Sequence, residues 1–133
     1  MQIMFHKVDA TVLFVQNLSK SIEFYRDTLE LPLVFQDSGS ATFQMENQYF
    51  LLLSPSTATN LLSDEANPVK IEGSARFLLA TGVENVDATY ETLKARGVTF
   101  LKPPISQPWG LRTAHFTDPE GNIWEINQSI EEN

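Results

Sequence analysis

A chain of 133 residues, 42% of them hydrophobic, can bury one core but is too short for two ordinary independent domains. Its formal net charge of -8 gives a surface that repels nucleic-acid phosphates and anionic lipids, so we expect neither nucleic acid nor membrane as a partner. Without cysteine there are no disulfides, thiolate metal sites or cysteine nucleophiles, and no amino-terminal apolar run resembles a targeting segment, so we expect a cytoplasmic protein.

The first half of the chain, residues 8–54, is predicted to form one β-α-β-β-β unit. Ala10 to Val15 is rich in β-forming residues, and Asn17 follows as the N-cap of a helix. Apolar residues recur at helical spacing until Pro32 stops the helix. Three short strands are then predicted, at Leu33–Gln36, Ala41–Met45 and Tyr49–Leu53.

The second half, residues 75–128, repeats this order after a polar connector at residues 55–74. Ala75 to Thr81 is strand-like, Asn85 is a second N-cap, and Gly97 ends the helix. Strands are then predicted at Val98–Leu101, Arg112–Thr117 and Asn122–Asn127. The two halves match at a constant offset of 68 residues, the separation of Asn17 and Asn85, which indicates a weak internal repeat. The predicted class is α+β, with two units whose curved mixed sheets form half-barrels around a concave pocket in a single domain, 1–133.

Three segments carry a resemblance to a known family, namely Asn17 to Leu29 (NLSKSIEFYRDTL), Leu93 to Val98 (LKARGV) and Asp118 to Glu125 (DPEGNIWE). In this order and spacing they resemble the vicinal oxygen chelate superfamily, which contains glyoxalase I, extradiol dioxygenases, fosfomycin-resistance enzymes and bleomycin-resistance proteins. Pro108 to Arg112 (PWGLR) is similar to the antibiotic-binding, bleomycin-resistance-like branch. The resemblance implies that a small-molecule ligand binds on the concave face of the sheets.

The resemblance also implies where a divalent ion would be held. Metal-dependent members place one ligand on the first strand and one on the last strand of each unit. The matching positions here are Ala10, Leu52, Leu78 and Glu125, and of these only Glu125 can coordinate an ion. We therefore expect a protein with no metal and no other cofactor.

The two histidines are not expected to restore a metal site. His6 precedes Ala10 by four positions, so a ligand role would need a different strand register. If the final hairpin has a two-residue loop, Ala114 pairs with Glu125 and His115 pairs with Trp124. Strict alternation of side chains then places His115 on the face opposite Glu125.

The predicted pocket is apolar with a few polar groups, which is typical of a small-molecule site. Trp109 either stacks on a planar ligand group or plugs the open end of the sheet. Arg112 either binds a carboxylate or phosphate of the ligand, or pairs with Glu125 or with an acidic residue across a subunit boundary. Glu125, the one candidate for a catalytic role, is a general base, a partner of Arg112 or a counter-charge for a cationic ligand. The predicted ligand-binding residues are Phe14, Phe43, Trp109, Gly110, Arg112, Ala114 and Glu125.

Two functions follow from these features. The first is a metal-free binding protein, in which two chains pair and hold an aromatic or cationic compound in clefts between them. We expect a homodimer because exposed strand edges favour a two-fold partner. The alternative is a metal-dependent, glyoxalase-like lyase, isomerase or dioxygenase. The sequence neither supports nor excludes a third role, the binding of a partner protein.

Overall fold

The computed structural model describes Met4 and residues 8–62, 64–71 and 78–130. The chain divides into two compact units, Met1–Glu72 and Gly73–Asn133. Each unit contains one four-stranded mixed sheet together with at least one helix, so the predicted α+β class is confirmed. That the two units form a single domain stays a prediction. Within the described ranges, no helix is long and apolar enough to cross a membrane.

The first unit has the predicted β-α-β-β-β order. Asn17 caps its first helix, because the side-chain oxygen accepts a hydrogen bond of 3.0 Å from the Lys20 N–H. The sheet order is β1-β4-β3-β2, with β1 parallel to β4 and the other pairs antiparallel. The elements are β1 (Ala10–Phe14), α1 (Leu18–Glu23) continuing into a π-helical turn (Phe24–Thr28), β2 (Leu33–Gln36), β3 (Ser40–Gln44) and β4 (Tyr49–Leu53).

The predicted connector contains a helix that sequence reasoning missed, α2 (Pro55–Leu62). The Ser54 hydroxyl accepts a hydrogen bond from the Thr57 N–H, and the Ser54 carbonyl accepts one from the Ala58 N–H. Serine as a cap followed by proline at the first helical position is a helix-start signal. A Ser-Pro pair in a polar segment therefore marked a short helix here.

The second unit repeats the first. Asn85 caps its helix by accepting a 3.0 Å hydrogen bond from the Ala88 N–H, and the sheet order is β5-β8-β7-β6, again with its first and last strands parallel. The first strands and the helix starts of the two units keep the predicted offset of 68 residues. Residues 75–77 of the predicted fifth strand lie outside the described residues. The elements are β5 (Leu78–Gly82), α3 (Val86–Ala95), β6 (Thr99–Ser106), β7 (Leu111–Thr117) and β8 (Ile123–Ser129).

Strand β6 is longer than the predicted Val98–Leu101. It continues through Pro103 and Pro104 because it lies at the edge of its sheet, where a residue without an N–H is tolerated. The pairing shifts by one residue between Lys102 and Ile105, which accommodates the two prolines.

Each sheet packs one face against the helical segment of its own unit. In the first unit the Tyr25 ring contacts those of Phe50 and Phe43, with centroid distances of 4.8 and 6.1 Å. In the second unit a ring series begins at Tyr90 on α3, with centroid distances of 4.7, 5.4 and 6.3 Å between successive members. These rings define the helix-packed face of each sheet, and the opposite side is called the far face. The second series runs through Tyr90, Phe100, Phe116 and Trp124.

Candidate functional site

The turn of the β7–β8 hairpin decides which side chains meet. The hairpin contains a type I turn over residues 118–121, since the Gly121 N–H donates to the Asp118 carbonyl at 3.1 Å. Gly121 has a φ of +87°, so it adds a left-handed residue, and the Asp118 N–H bonds the Asn122 carbonyl at 2.9 Å. The loop is therefore the three-residue type with a glycine bulge, not the two-residue type.

This extra residue makes the predicted register wrong by one position. His115 pairs with Glu125, and Ala114 pairs with Ile126. Because a one-residue slip exchanges the two faces of a strand, Ala114 lies on the helix-packed face, buried beside the ring series. The prediction that Ala114 and Glu125 line the same stripe is therefore wrong, as is the prediction that His115 faces away from Glu125.

Three polar side chains form a connected group on the far face of the second sheet. The Nε2 atom of His115 lies 2.9 Å from Oε1 of Glu125, and the Asn127 side-chain amide donates to Oε2 of Glu125 at 2.8 Å. The side chains of His115 and Glu125 are 24% and 17% exposed. Glu125 is thus held from both oxygens in a partly buried position, which fixes its rotamer and that of its histidine partner.

Arg112 lies on the helix-packed face and does not bond Glu125, one of its predicted partners. Its Nε and Nη2 atoms bond the two carboxylate oxygens of Asp87 at 2.7 and 2.9 Å, and Nη1 bonds the Ser106 hydroxyl at 3.1 Å. The hydrogen bond from Arg112 lowers the pKa of the Asp87 carboxyl. The predicted pairing of Arg112 with Glu125 is wrong, and the guanidinium fork is occupied by an acid of the same unit.

The predicted residues from the first unit lie on different faces. Phe43 is opposite Phe50 and is 0% exposed, so it belongs to the helix-packed core and not to a concave stripe. Phe14 lies opposite Leu53 on the far face, where it is half-buried. Of these two predicted contacts, only Phe14 remains a candidate for ligand binding.

Trp109 and Gly110 lie in the loop between β6 and β7. The Gln107 N–H donates to the Leu111 carbonyl at 2.7 Å, and Gly110, with a φ of +86°, closes the loop by donating to the Gln107 carbonyl. The Gly110 carbonyl accepts from the Ile130 N–H at 3.0 Å. Trp109 is 65% exposed, so it does not plug the sheet. Its role in stacking on a ligand stays a prediction.

The residues at the family's metal positions do not fit a metal ion. Ala10, at the first-strand position, pairs with Tyr49 as Leu78 pairs with Ile123, so the residue of β4 equivalent to Glu125 is Leu51, not Leu52. Alanine and leucine side chains carry no metal-ligand atom, so Glu125 is the one ligand among the four positions. The histidine bonded to it, His115, would add one more. Among the described residues no three His, Asp or Glu side chains gather in one place. His6 lies outside the described residues.

A separate cavity of about 370 Å³ lies beside α2 in the first unit. Its most enclosed polar group, the Thr59 hydroxyl, already accepts a hydrogen bond of 2.9 Å from the Val69 N–H. The other polar side chains that line the cavity are exposed, so it offers no further buried polar group to fix a ligand's orientation. The cavity is lined by Pro55, Ser56, Thr59, Asn60, Glu65, Pro68 and Val69.

Sequence reasoning missed the contribution of His115 and the hydrogen bond from Asn127 to Glu125. The available signal was Gly121, because a glycine after Asp-Pro-Glu suits the left-handed position of a three-residue hairpin loop. With that loop, alternation from Thr117 and Ile123 places His115, Glu125 and Asn127 on one face.

Comparison with known proteins gives a consistent family. Residues 7–126 match the Glyoxalase/Bleomycin resistance protein/Dioxygenase superfamily. The chain is 37% identical over 121 residues to the uncharacterized protein YraH of Bacillus subtilis, covering 89% of this chain and 94% of YraH. It is 28% identical over 137 residues to a probable lactoylglutathione lyase of Vibrio cholerae, covering 93% and 91% of the two chains.

Solved structures show the same fold. A glyoxalase/bleomycin resistance protein/dioxygenase from Nocardioides superposes with a TM-score of 0.84 at 26% identity, covering 99% of this chain and 89% of that one. A lactoylglutathione lyase from Agrobacterium tumefaciens superposes with a TM-score of 0.73 at 22% identity, covering 91% and 92%.

Proposed function

Because this chain belongs to the Glyoxalase/Bleomycin resistance protein/Dioxygenase superfamily, we propose that it binds a small molecule on the far face of the second sheet. The observation that carries this proposal is the His115–Glu125 contact, held by Asn127 and partly buried. Connected polar side chains on the face of a sheet away from its helix contribute little to the core. They can instead orient a ligand.

Apolar residues surround this polar group on the same face. Ala80 pairs with Glu125, Leu78 pairs with Ile123, and Ile105 of β6 pairs with Thr113. An apolar surface with a few fixed polar groups suits a compact organic molecule rather than a highly charged one.

The proposed ligand is an aromatic or cationic compound. The exposed indole of Trp109 offers a stacking surface for a planar group. Glu125 and the net charge of -8 favour a cation over an anion. Binding without a metal agrees with the donor-free side chains at Ala10, Leu51 and Leu78.

We further propose that two chains pair, and that the protein acts in the cytoplasm. Edge strand β2 carries Val34 and Phe35, both 55% exposed, and edge strand β6 carries the exposed residues Leu101 and Ile105. Apolar side chains on sheet edges favour contact with a second chain. Sedimentation at micromolar concentrations should give the mass of a dimer, and a monomer would remove this part of the proposal.

Isothermal titration tests the binding function. We expect saturable heat from bleomycin or from benzyltrimethylammonium, an aromatic cation. Glu125→Ala should weaken binding about tenfold or more, because it removes both the carboxylate that holds His115 and the negative charge that favours a cation. Glu91→Ala, at an exposed position of α3, is the matched control and should bind as the unmodified protein does. The absence of heat from both compounds would contradict an aromatic or cationic ligand.

A second candidate is a metal-dependent lyase, isomerase or dioxygenase. It is favoured by the similarity to a protein named a probable lactoylglutathione lyase. Elemental analysis of untreated protein and an assay for lactoylglutathione formation from methylglyoxal and glutathione decide between the two. One divalent ion per chain with turnover would replace the binding proposal with an enzyme.

A further inference from the structure

Both oxygens of Glu125 are already engaged within the chain. Oε1 lies 2.9 Å from Nε2 of His115, and Oε2 accepts from the Asn127 amide at 2.8 Å. A carboxylate can only accept hydrogen bonds, so the hydrogen shared with His115 lies on the imidazole Nε2. Glu125 is therefore a poor first contact for a ligand, although its sequence position suggested one.

A neutral imidazole with its hydrogen on Nε2 has an acceptor at Nδ1. Within the described ranges, no residue forms a hydrogen bond with Nδ1 of His115, and the side chain keeps 24% of its surface exposed. An imidazole held by a carboxylate, which is held in turn by an amide, presents this acceptor in a fixed direction.

We infer that His115 is the residue that contacts the ligand, with Nδ1 accepting a hydrogen bond from an aromatic hydroxyl, while Glu125 and Asn127 are positioning residues. This inference rests on the proposed binding function and names its ligand class. The aromatic part of the ligand follows from the apolar residues on the same face and from the exposed Trp109. The hydroxyl follows from the unfilled acceptor.

The first experiment needs no ligand. Long-range ¹H–¹⁵N correlation spectra of protein with labelled histidine report which ring nitrogen carries the hydrogen. The sequence has two histidines, so a His115→Gln spectrum identifies the His115 signals. At a pH where imidazole is ordinarily neutral, we expect the hydrogen on Nε2, and Glu125→Ala should weaken this preference. A hydrogen on Nδ1, or on both nitrogens, overturns the inference.

The second experiment compares phenol with anisole, in which a methyl group replaces the hydroxyl hydrogen. Phenol should bind about threefold to tenfold more tightly, the effect of one net hydrogen bond, and should shift the His115 ring signals. His115→Phe should remove the preference for phenol over anisole. His115→Leu, which also has no hydrogen-bond acceptor, serves in its place if circular dichroism shows that the phenylalanine variant is unfolded.

The outcomes separate the two proposals. Equal binding of phenol and anisole on the far face overturns the role of His115 and leaves the binding function standing. No binding of either compound up to its solubility overturns both the role of His115 and an aromatic ligand. Binding of bleomycin alone retains the binding function without the phenol class.

Discussion

Arg112 and Asp87 join strand β7 to the first turn of helix α3 through two parallel hydrogen bonds of 2.7 and 2.9 Å. The same helix start is joined to β8, because the Gln128 side-chain oxygen accepts from the Val86 N–H. Helix α3 is thus anchored to both strands of the hairpin that carries His115 and Glu125. This anchoring keeps the helix-packed face fixed while the far face remains available for binding.

The Arg112–Asp87 pair should make stability depend on pH on the acid side. Asp87 has a folded-state pKa below its ordinary value of 3.8, because it accepts hydrogen bonds from Arg112. A depressed carboxyl pKa adds stability that is fully present above 3.8 and is lost as the pH falls through the folded-state value. Asp87→Asn should lower the urea midpoint at pH 7, and the gap to the unmodified protein should narrow below pH 3.8.

Asp27→Asn is the matched control for this experiment. Asp27 forms an exposed pair with Arg26 at 2.8 Å, but the two residues are adjacent in sequence and can meet in the unfolded chain as well. The urea midpoint of this variant should stay close to that of the unmodified protein at every pH. An equal drop in the urea midpoint of both variants would show that the Arg112–Asp87 pair adds no stability beyond that of a local surface pair.

The two N-caps should contribute similar amounts to stability. Asn17 and Asn85 each accept one equivalent hydrogen bond of 3.0 Å, from the N–H of the third residue after the cap. Replacing either by alanine leaves one helix N–H without its partner, which costs about 1 kcal/mol. Chemical denaturation of the two variants and of the double variant measures this loss. A double variant as stable as either single one would contradict independent caps.

Gly121→Ala tests the turn that sets the site's register. With a φ of +87° at this position, an alanine is strained by about 1 to 2 kcal/mol, although no atom lies within 4 Å of its new Cβ. Gly82→Ala is the control, since Gly82 lies in a strand without positive φ and its Cβ would meet only the Asn127 oxygen at 3.8 Å. Thermal denaturation should separate the two variants, and equal midpoints would argue against the strained loop.

Phe43 and Val12 should respond differently to truncation, because they lie on opposite faces of the first sheet. Phe43→Ala removes a fully buried ring and should cost about 3 to 5 kcal/mol. Val12→Ala should cost about 0.5 kcal/mol or less, because the Val12 side chain is 38% exposed. Urea denaturation measures both losses. A small loss of stability in Phe43→Ala would contradict a core role and make Phe43 a candidate ligand contact again.

Ser21→Ala should stabilise the protein. The Ser21 hydroxyl is buried on α1 and has no hydrogen-bond partner among the described residues. An unsatisfied buried hydroxyl costs about 1 kcal/mol or more, and alanine also favours a helix. Ser19→Ala, on the exposed side of the same helix, should show only the smaller propensity effect. A loss of stability at Ser21 would indicate that an ordered water satisfies the hydroxyl.

The fold was predictable because its signals are local. Asn17 and Asn85 are recognisable caps, and the apolar periods that follow them change from helical to strand spacing within a few residues. The repeat offset then places the strands of the second unit. Helix α2 escaped prediction because its Ser54-Pro55 start lies in a segment rich in Ser, Thr and Asn, and its 8 residues are too few to establish a helical period.

The site was less predictable because it depends on contacts between distant residues. The partner of Arg112 is 25 positions away on a helix, and neither composition nor alternation identifies it. The His115–Glu125 contact follows from one φ angle at Gly121, which a two-residue loop would not require. Local patterns therefore predicted which residues form the strands, but not which residues of neighbouring strands share a face.

The loop at Gly121 has a consequence for comparing relatives of this chain. Deleting one residue from it would exchange the two faces of β8 without altering any residue of the strand. Two proteins could then share an aligned glutamate that contacts ligand in one and faces a helix in the other. Relatives should therefore be grouped by the length of this hairpin loop rather than by the presence of the aligned glutamate alone.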